Sequence, residues 1–312
     1  MTLMTTPSTT VAPWRLFRTV VGAVEDLSPN LRRIRFVGRE LEHFADPGLD
    51  QRIKILFGAW PVIHDSAEDW YAAWLGLPED VRPAMRTYTT RRVTHAPAGS
   101  SVDVDMVLHD DAGPAGDWAV RAEVGDEAML VGPDRRFAGD PGGRAFTLPV
   151  EAGEVLLVGD ETALPAIARI LEDLAVADQP GLRVTALVEV PTAADCLDLT
   201  APDGAQVVWL VRSGRPHGFA LDRAVRSWTM VAAGAGTPSE SAHSKADEDE
   251  LLWEVPEADE ASASTSLRGA YVWVDAEQGV VRGIRRHLLG EIGLGRGQVA
   301  LMGYWRLGRA QG

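Results

Sequence analysis

The 312-residue chain has one cysteine, Cys196. An intramolecular disulfide is impossible, which fits a reducing compartment, so a cytoplasmic location is expected. A Cys-ligated iron–sulfur cluster normally needs four thiolates and a C-x-x-C-H haem site needs two; both are excluded. None of the seven histidines stands in an H-E-x-x-H helix, and no resident metal is expected. If the protein moves electrons, an organic cofactor carries them. No apolar run approaches the ~18 residues of a membrane span. Met1 to Pro13 lack the apolar stretch of a secretory signal, so none is expected. Basic residues are also scarce, 30 against 45 acidic, a net charge of −15. That argues against a nucleic-acid partner, because phosphate backbones need basic patches.

The acidity is localised. Residues 1–149 carry 16 basic and 21 acidic residues; residues 150–312 carry 14 and 24. Nine of those 24 acids fall in residues 240–260 against one base, Lys245. Glycines 234 and 236 and serines 262, 264 and 266 flank this stretch, which reads as a flexible acidic insertion at about 236–266. An amphipathic piece around Leu251, Leu252, Trp253 and Val255 could dock locally.

The length suggests two domains, divided at residues 149 and 150. The first half reads as strands: Phe17 to Val24, Leu31 to Val37, Arg52 to Phe57, Met85 to Val93, Ser101 to Leu108 and Ala128 to Val131, with one short helix over Ala67 to Leu75. Val102, Val104, Met106 and Leu108 alternate with Asp103, Asp105 and Val107, a half-buried pattern. Many short strands imply a barrel or sandwich. The second half alternates strands (154–159, 182–190, 206–211, 269–274, 298–304, and a weaker candidate from Trp228 to Ala233) with helices, including Val280 to Leu289. That order implies a parallel α/β sheet.

Three segments carry chemistry. In Met85 to Arg92, Arg86, Tyr88 and Thr90 share one strand face and Thr87, Thr89 and Arg91 the other. A guanidinium suits phosphate, and a tyrosine offers a flat ring face. On spacing alone a solvated basic strand is the simpler reading. From Val107 through His109 to Trp118, a strand ends in the turn Gly113-Pro114-Ala115 and a helix begins, so backbone amides can form an anion pocket. Val158 to Pro165 runs from a buried strand through a small-residue turn into a helix, with Thr162 the expected N-cap. This is where α/β sheets receive a nucleotide.

In this order the segments resemble the siderophore-interacting proteins, flavin-dependent ferric-siderophore reductases of the ferredoxin-reductase-like superfamily. Arg86 to Arg91 is similar to that family's R-x-Y-T-x-R motif, His109 to Ala119 to its phosphate segment, and Gly159 to Ala166 to its G-D-E-T-A-L-P-A turn. Val281 to Leu288 and Gly303 to Gly308 resemble its C-terminal helix and end motif. Three departures stand out: Asp110 replaces a usual Gly, Asp275 and Ala276 replace the Ala-Gly of W-x-A-G-E, and the acidic insertion is long.

The resemblance implies an N-terminal antiparallel FAD-binding β-barrel followed by a Rossmann-like NAD(P)H domain. The cofactor contacts it implies are Arg86, Thr87, Tyr88, Thr89, Arg91, Val107, His109, Gly113, Pro114, Ala115 and Trp118, with Asp160, Thr162, Ala163, Glu277 and Trp305 from the second half. Electrons would pass from NAD(P)H through FAD to Fe(III) in a ferric siderophore. A flavin reductase serving another acceptor or a protein partner is the alternative. No protein group need act as acid, base or nucleophile. Lys54, the only lysine in residues 1–149, with Arg282 and Arg306, is expected to draw an anionic ferric chelate. Glu189, ending the second parallel strand, favours NADH through a ribose hydroxyl; Arg212 and Arg215 argue the other way. The chain is expected to act as a monomer.

Overall fold

The computed structural model describes residues 11–58, 70–108, 113–232, 252–255 and 267–308. His109, Asp110 and nearly all of the acidic insertion lie outside the described residues. Seven antiparallel strands form the first sheet: β1 (Trp14–Ser28), β2 (Leu31–Val37), β3 (Arg52–Phe57), β4 (Met85–Thr89), β5 (Arg92–Ala96), β6 (Gly99–Val107) and β7 (Glu127–Pro133). Their order is β4-β3-β7-β1-β2-β6-β5, and β4 meets β6 across the sheet's opening, nearly closing a barrel. Phe17, Ile34, Phe36, Ile55, Val104 and Leu130 fill it. Helix α1 (Trp70–Leu75) precedes β4, and α2 (Gly113–Arg121) links β6 to β7.

Two expectations are corrected here. Met85 to Val93 is two strands. The chain changes neighbours at Thr90 and Arg91, whose amides donate to Gln51 O and Asp103 O at 2.8 and 2.9 Å. The second concerns β6, which is buried on both faces. Asp103 and Asp105 are 2% and 5% exposed, because Arg35 and Arg33 on β2 hold each carboxylate with two hydrogen bonds of 2.6–2.8 Å.

The second sheet has β8 (Glu154–Gly159), β9 (Arg183–Val190), β10 (Gln206–Val211), β12 (Ala270–Glu277) and β13 (Val299–Trp305) in parallel, with β11 (Trp253–Glu254) antiparallel on the β13 edge. The order is β10-β9-β8-β12-β13-β11. Strand order reverses between β8 and β12, which opens a crevice at their carboxyl ends. Helix α3 (Leu164–Ala177) covers one face; α4 (Phe219–Ala232) and α5 (Gln278–Arg285) cover the other. Trp228 to Ala232, expected as a strand, is the last turn and a half of α4. Leu221, Val225, Trp228 and Ala232 recur at helical spacing and pack on the sheet. Of the insertion, Trp253 and Glu254 dock as β11, and Glu254 accepts two hydrogen bonds from Arg285 (2.6 and 2.9 Å).

The α3 face meets the barrel. Arg91 forks onto Glu172 of α3 with hydrogen bonds of 2.5 and 2.6 Å. Asp195 accepts from the Ser28 hydroxyl and the Asn30 side chain at 2.7 and 2.9 Å. Trp273 donates its indole N–H to Asp50 at 3.2 Å.

Candidate functional site

Strand β4 pairs with β3 so that Thr89 faces Arg52 and Thr87 faces Lys54. Directly opposed residues share a sheet face. Arg52 reaches away from the barrel to the sulfur of Met302 (3.6 Å) and lies 3.8 Å over the Trp253 ring. Thr89 and Thr87 therefore look toward the seam with the α/β sheet. The opposite face of β4 carries Tyr88, whose ring meets Phe57 edge-on at 6.1 Å; Phe57 contacts Trp118 of α2 at 5.0 Å. Phe57, which the sequence reading did not single out, thus joins two of the expected flavin residues. Burial pushes the Tyr88 hydroxyl up to about 12, so it stays a neutral donor.

The Arg86 guanidinium bonds only its neighbour's carbonyl, Met85 O at 2.9 Å, and makes no ion pair among the described residues. Helix α2 opens at Gly113, whose φ of +64° suits glycine. Its first-turn amides form a positive end. Buried Thr90 Oγ1 and Gln51 Oε1, where β4 ends and β3 begins, have no hydrogen-bond partner among the described residues. An uncommitted guanidinium, a helix N-terminus, an aromatic wall and unpartnered polar atoms fit a flat ring joined to a diphosphate. FAD is such a group.

Arg91 does not belong to this set. Both terminal nitrogens of its guanidinium are committed to Glu172, so it clamps the two sheets together instead of meeting phosphate. Val107 ends β6, half-buried, and Pro114 is exposed.

The second half of the site is the crevice between β8 and β12. Gly159 is required there: a Cβ would fall 2.4 Å from the Ala163 Cβ. Asp160, 1% exposed, is a structural hub. One carboxylate oxygen accepts from the Thr162 amide and hydroxyl (2.9 and 2.5 Å), the other from the Glu277 amide and the Trp305 indole (both 2.9 Å). Burial and the charge of Glu161 raise its pKa to about 6, against the pull of these bonds. Thr162 is therefore not the N-cap of α3. Ala163 holds that position, and the hydroxyl turns back to Asp160. Glu277 caps α5, accepting from the amides of Gly279 and Val280, and also from Leu307.

Glu189 is likewise internal. It is 0% exposed and accepts from the amides of Gly218, Ala220 and Leu221 and from Arg212. Arg212 is held by Glu161 as well, at 2.7 and 2.9 Å. Neither side chain is free to meet a ribose or its phosphate, so the stated ground for an NADH preference is removed. Arg215 alone of the three is exposed. His217, missed in the sequence, stands edge-on to the Trp305 ring at 4.9 Å.

The expected substrate cations are half-buried. Lys54 donates to the Thr87 hydroxyl at 3.1 Å, and burial, aided by the Arg52 charge, lowers its pKa. Arg282 lies on α5 and Arg306 just beyond β13, elements that pack together.

A nearly closed antiparallel barrel followed by a Rossmann-like sheet is the ferredoxin-reductase-like fold. The chain belongs to the siderophore-interacting protein family. Residues 152–308 match the family described as siderophore-interacting protein, and residues 20–137 match the siderophore-interacting FAD-binding domain. The chain is 31% identical over 304 residues to an uncharacterized protein of Mycobacterium tuberculosis, covering 93% of this chain and 90% of that one. It is 31% identical over 189 residues to the NADPH-dependent ferric-chelate reductase of Escherichia coli, covering 60% and 68%. The solved siderophore utilization protein from T. fusca superposes with a TM-score of 0.66 at 28% identity, covering 96% of this chain and 95% of that one. No helix among the described residues is long and apolar enough to cross a membrane.

Proposed function

We propose that the protein is an FAD-dependent reductase that moves electrons from NAD(P)H to Fe(III) held in a ferric siderophore, releasing Fe(II). The observation that carries this reading is the seam itself. Arg52, paired with Thr89 on the flavin-type strand, reaches Met302, and Met302 pairs with Asp275 at the nucleotide crevice. On this reading both cofactor sites would border the same packed seam. The activity named for the E. coli relative supports the same reading.

Arg86 and the first-turn amides of α2 would hold the FAD diphosphate, Tyr88 and Trp118 would wall the ring, and Thr89 would meet its edge. Bound FAD would accept two electrons together from the nicotinamide and return them one at a time to iron. The half-exposed Trp305 ring, fixed through Asp160, would border the nicotinamide side. Lys54, Arg282 and Arg306 would attract the anionic chelate. Oxygen-rich ligands hold Fe(III) far better than Fe(II), so reduction frees the metal.

The test is the absorption spectrum of purified protein with added FAD, followed anaerobically by NADH, NADPH and then a ferric siderophore. Flavin absorbance should appear, bleach with the nicotinamide and return with the chelate. A protein that takes up no FAD would overturn this reading.

A further inference from the structure

The barrel-facing side of β12 carries Tyr271, Trp273 and Asp275 in alternation. The first two have partners on the barrel side: the Tyr271 hydroxyl accepts from the Thr147 amide at 3.0 Å, and the Trp273 indole donates to Asp50. Asp275 is the third. It pairs in register with Gly159 on one side and Met302 on the other, at the crevice where strand order reverses. It is 0% exposed, and neither carboxyl oxygen has a hydrogen-bond partner of ordinary geometry. The buried Tyr304 hydroxyl stands beside it, near enough to favour the carboxylate but outside ordinary hydrogen-bond geometry.

Four groups surround this carboxyl: Tyr304 from β13, Asp160 from the end of β8, and Asp50 and Arg52 from the barrel. Three are already committed. Asp50 accepts from the amides of Ala145 and Phe146 and from Trp273. Asp160 accepts its four donors. Arg52 bonds Gly143 O at 3.1 Å and the Met302 sulfur, under the Trp253 ring. Burial, with the charges of Asp160 and Asp50, raises the Asp275 pKa well above the carboxylate range; Tyr304 and Arg52 pull it down. An unpaired buried carboxylate is costly, and the acid form removes that cost.

Resting on the flavin reading above, we propose that Asp275 is a redox-linked proton site, which gains a proton when the flavin at the seam gains electrons. A negative charge on the reduced flavin raises the proton affinity of a neighbouring carboxyl. In the working pH window the step balances as follows. NAD(P)H gives a hydride to the flavin, leaving NAD(P)⁺ and a reduced flavin of one more negative charge; one solvent proton converts the Asp275 carboxylate to the carboxylic acid. The seam's charge is then unchanged by reduction, and the proton leaves as electrons pass to Fe(III). The alanine at this position in the resembled motif could not do this.

The experiment measures two quantities on the full chain: FAD affinity by absorbance titration, and the two-electron midpoint potential of bound FAD by anaerobic dithionite titration against a reference dye, from about pH 5 to pH 9. Wild type, Asp275→Asn, Asp275→Ala and Tyr304→Phe are compared. Each extra proton per two electrons adds about 30 mV of slope per pH unit, the value of a tenfold change for this couple. Wild type should show an interval, above the usual carboxylate range, that is steeper by that amount than Asp275→Asn and Asp275→Ala. Tyr304→Phe should move the interval to higher pH. Lines for wild type and Asp275→Asn that stay parallel throughout, with FAD bound in both, overturn the proton site and leave the flavin reading standing. A wild type that binds no FAD removes both.

Discussion

The two halves of the seam hold their polar groups differently. On the barrel side, among the described residues, Arg86 has no ionic partner and Thr90 Oγ1 and Gln51 Oε1 have no hydrogen-bond partner. On the sheet side Asp160, Glu189, Glu277 and Arg212 are all committed to internal bonds. A tightly held cofactor needs unsatisfied groups waiting for it. A nucleotide that arrives and leaves needs a crevice whose shape is already fixed. Asp275 is one exception on the sheet side, with Tyr304, His217 and Glu254, each of which also keeps a buried polar atom without a well-formed hydrogen bond among the described residues; Asp275 is the one paired with Gly159 at the crevice.

The largest effect that could break this contrast is at Glu189. If the carboxylate is structural, Glu189→Ala leaves the buried amides of Gly218, Ala220 and Leu221 at the start of α4 without their acceptor, and leaves Arg212 with Glu161 alone. Removing one partner of a buried ion pair costs about 3–5 kcal/mol. Urea unfolding of the apoprotein should show that loss, while Glu189→Gln should leave the NADH-to-NADPH ratio in flavin reduction unchanged. A changed ratio in a well-folded Gln variant would return Glu189 to the nucleotide site.

Next is Arg86→Ala, which sharpens the barrel side. One charged hydrogen bond is worth about 1.5–3 kcal/mol, so FAD affinity should fall by roughly 10- to 150-fold. Apoprotein stability should hold, because Arg86 is half-exposed and its one bond is to Met85 O. Equal loss of affinity and of stability would place Arg86 with the committed groups.

The sequence showed the two-sheet plan because its signals are local. Alternation marks β6, and a continuous apolar run marks β8. It failed at α4, where the window from Trp228 opened too late to show the helical period begun at Leu221. In the site, Arg86, Tyr88 and Trp118 were legible as residue types in a motif. Which groups were free was not, since that depends on distant partners. Arg91 finds Glu172 across 81 positions, and Glu189 finds the amides of α4 only after β10 and its turn are in place. Phe57 and Arg52 carried no motif at all; the register of β3 against β4 brings Arg52 to the face of Thr89, and the alternation of β3 turns Phe57 the other way, into the barrel against Tyr88.

The smallest expected effect is at that Arg91 clamp, and pH reads it. Burial raises the Glu172 carboxyl, but the hydrogen bonds and charge of Arg91 outweigh it and leave the group below its ordinary value of 4.5. A carboxylate depressed in the folded state contributes its stability above the unfolded value, and that contribution is lost as pH falls through the folded value. Glu172 is one-quarter exposed, so the pair is worth on the order of 1 kcal/mol. Glu172→Gln should therefore lower unfolding stability by about that amount near neutral pH, and the difference from wild type should shrink as pH falls below about 4.5. Asp195, also depressed on balance and bonded to Ser28 and Asn30, should persist as an acid-sensitive tie in the variant. Paired denaturation curves at several pH values measure both. A wild-type-to-variant difference that does not change with pH would mean the clamp acts through packing of the Arg91 stem rather than through its charge.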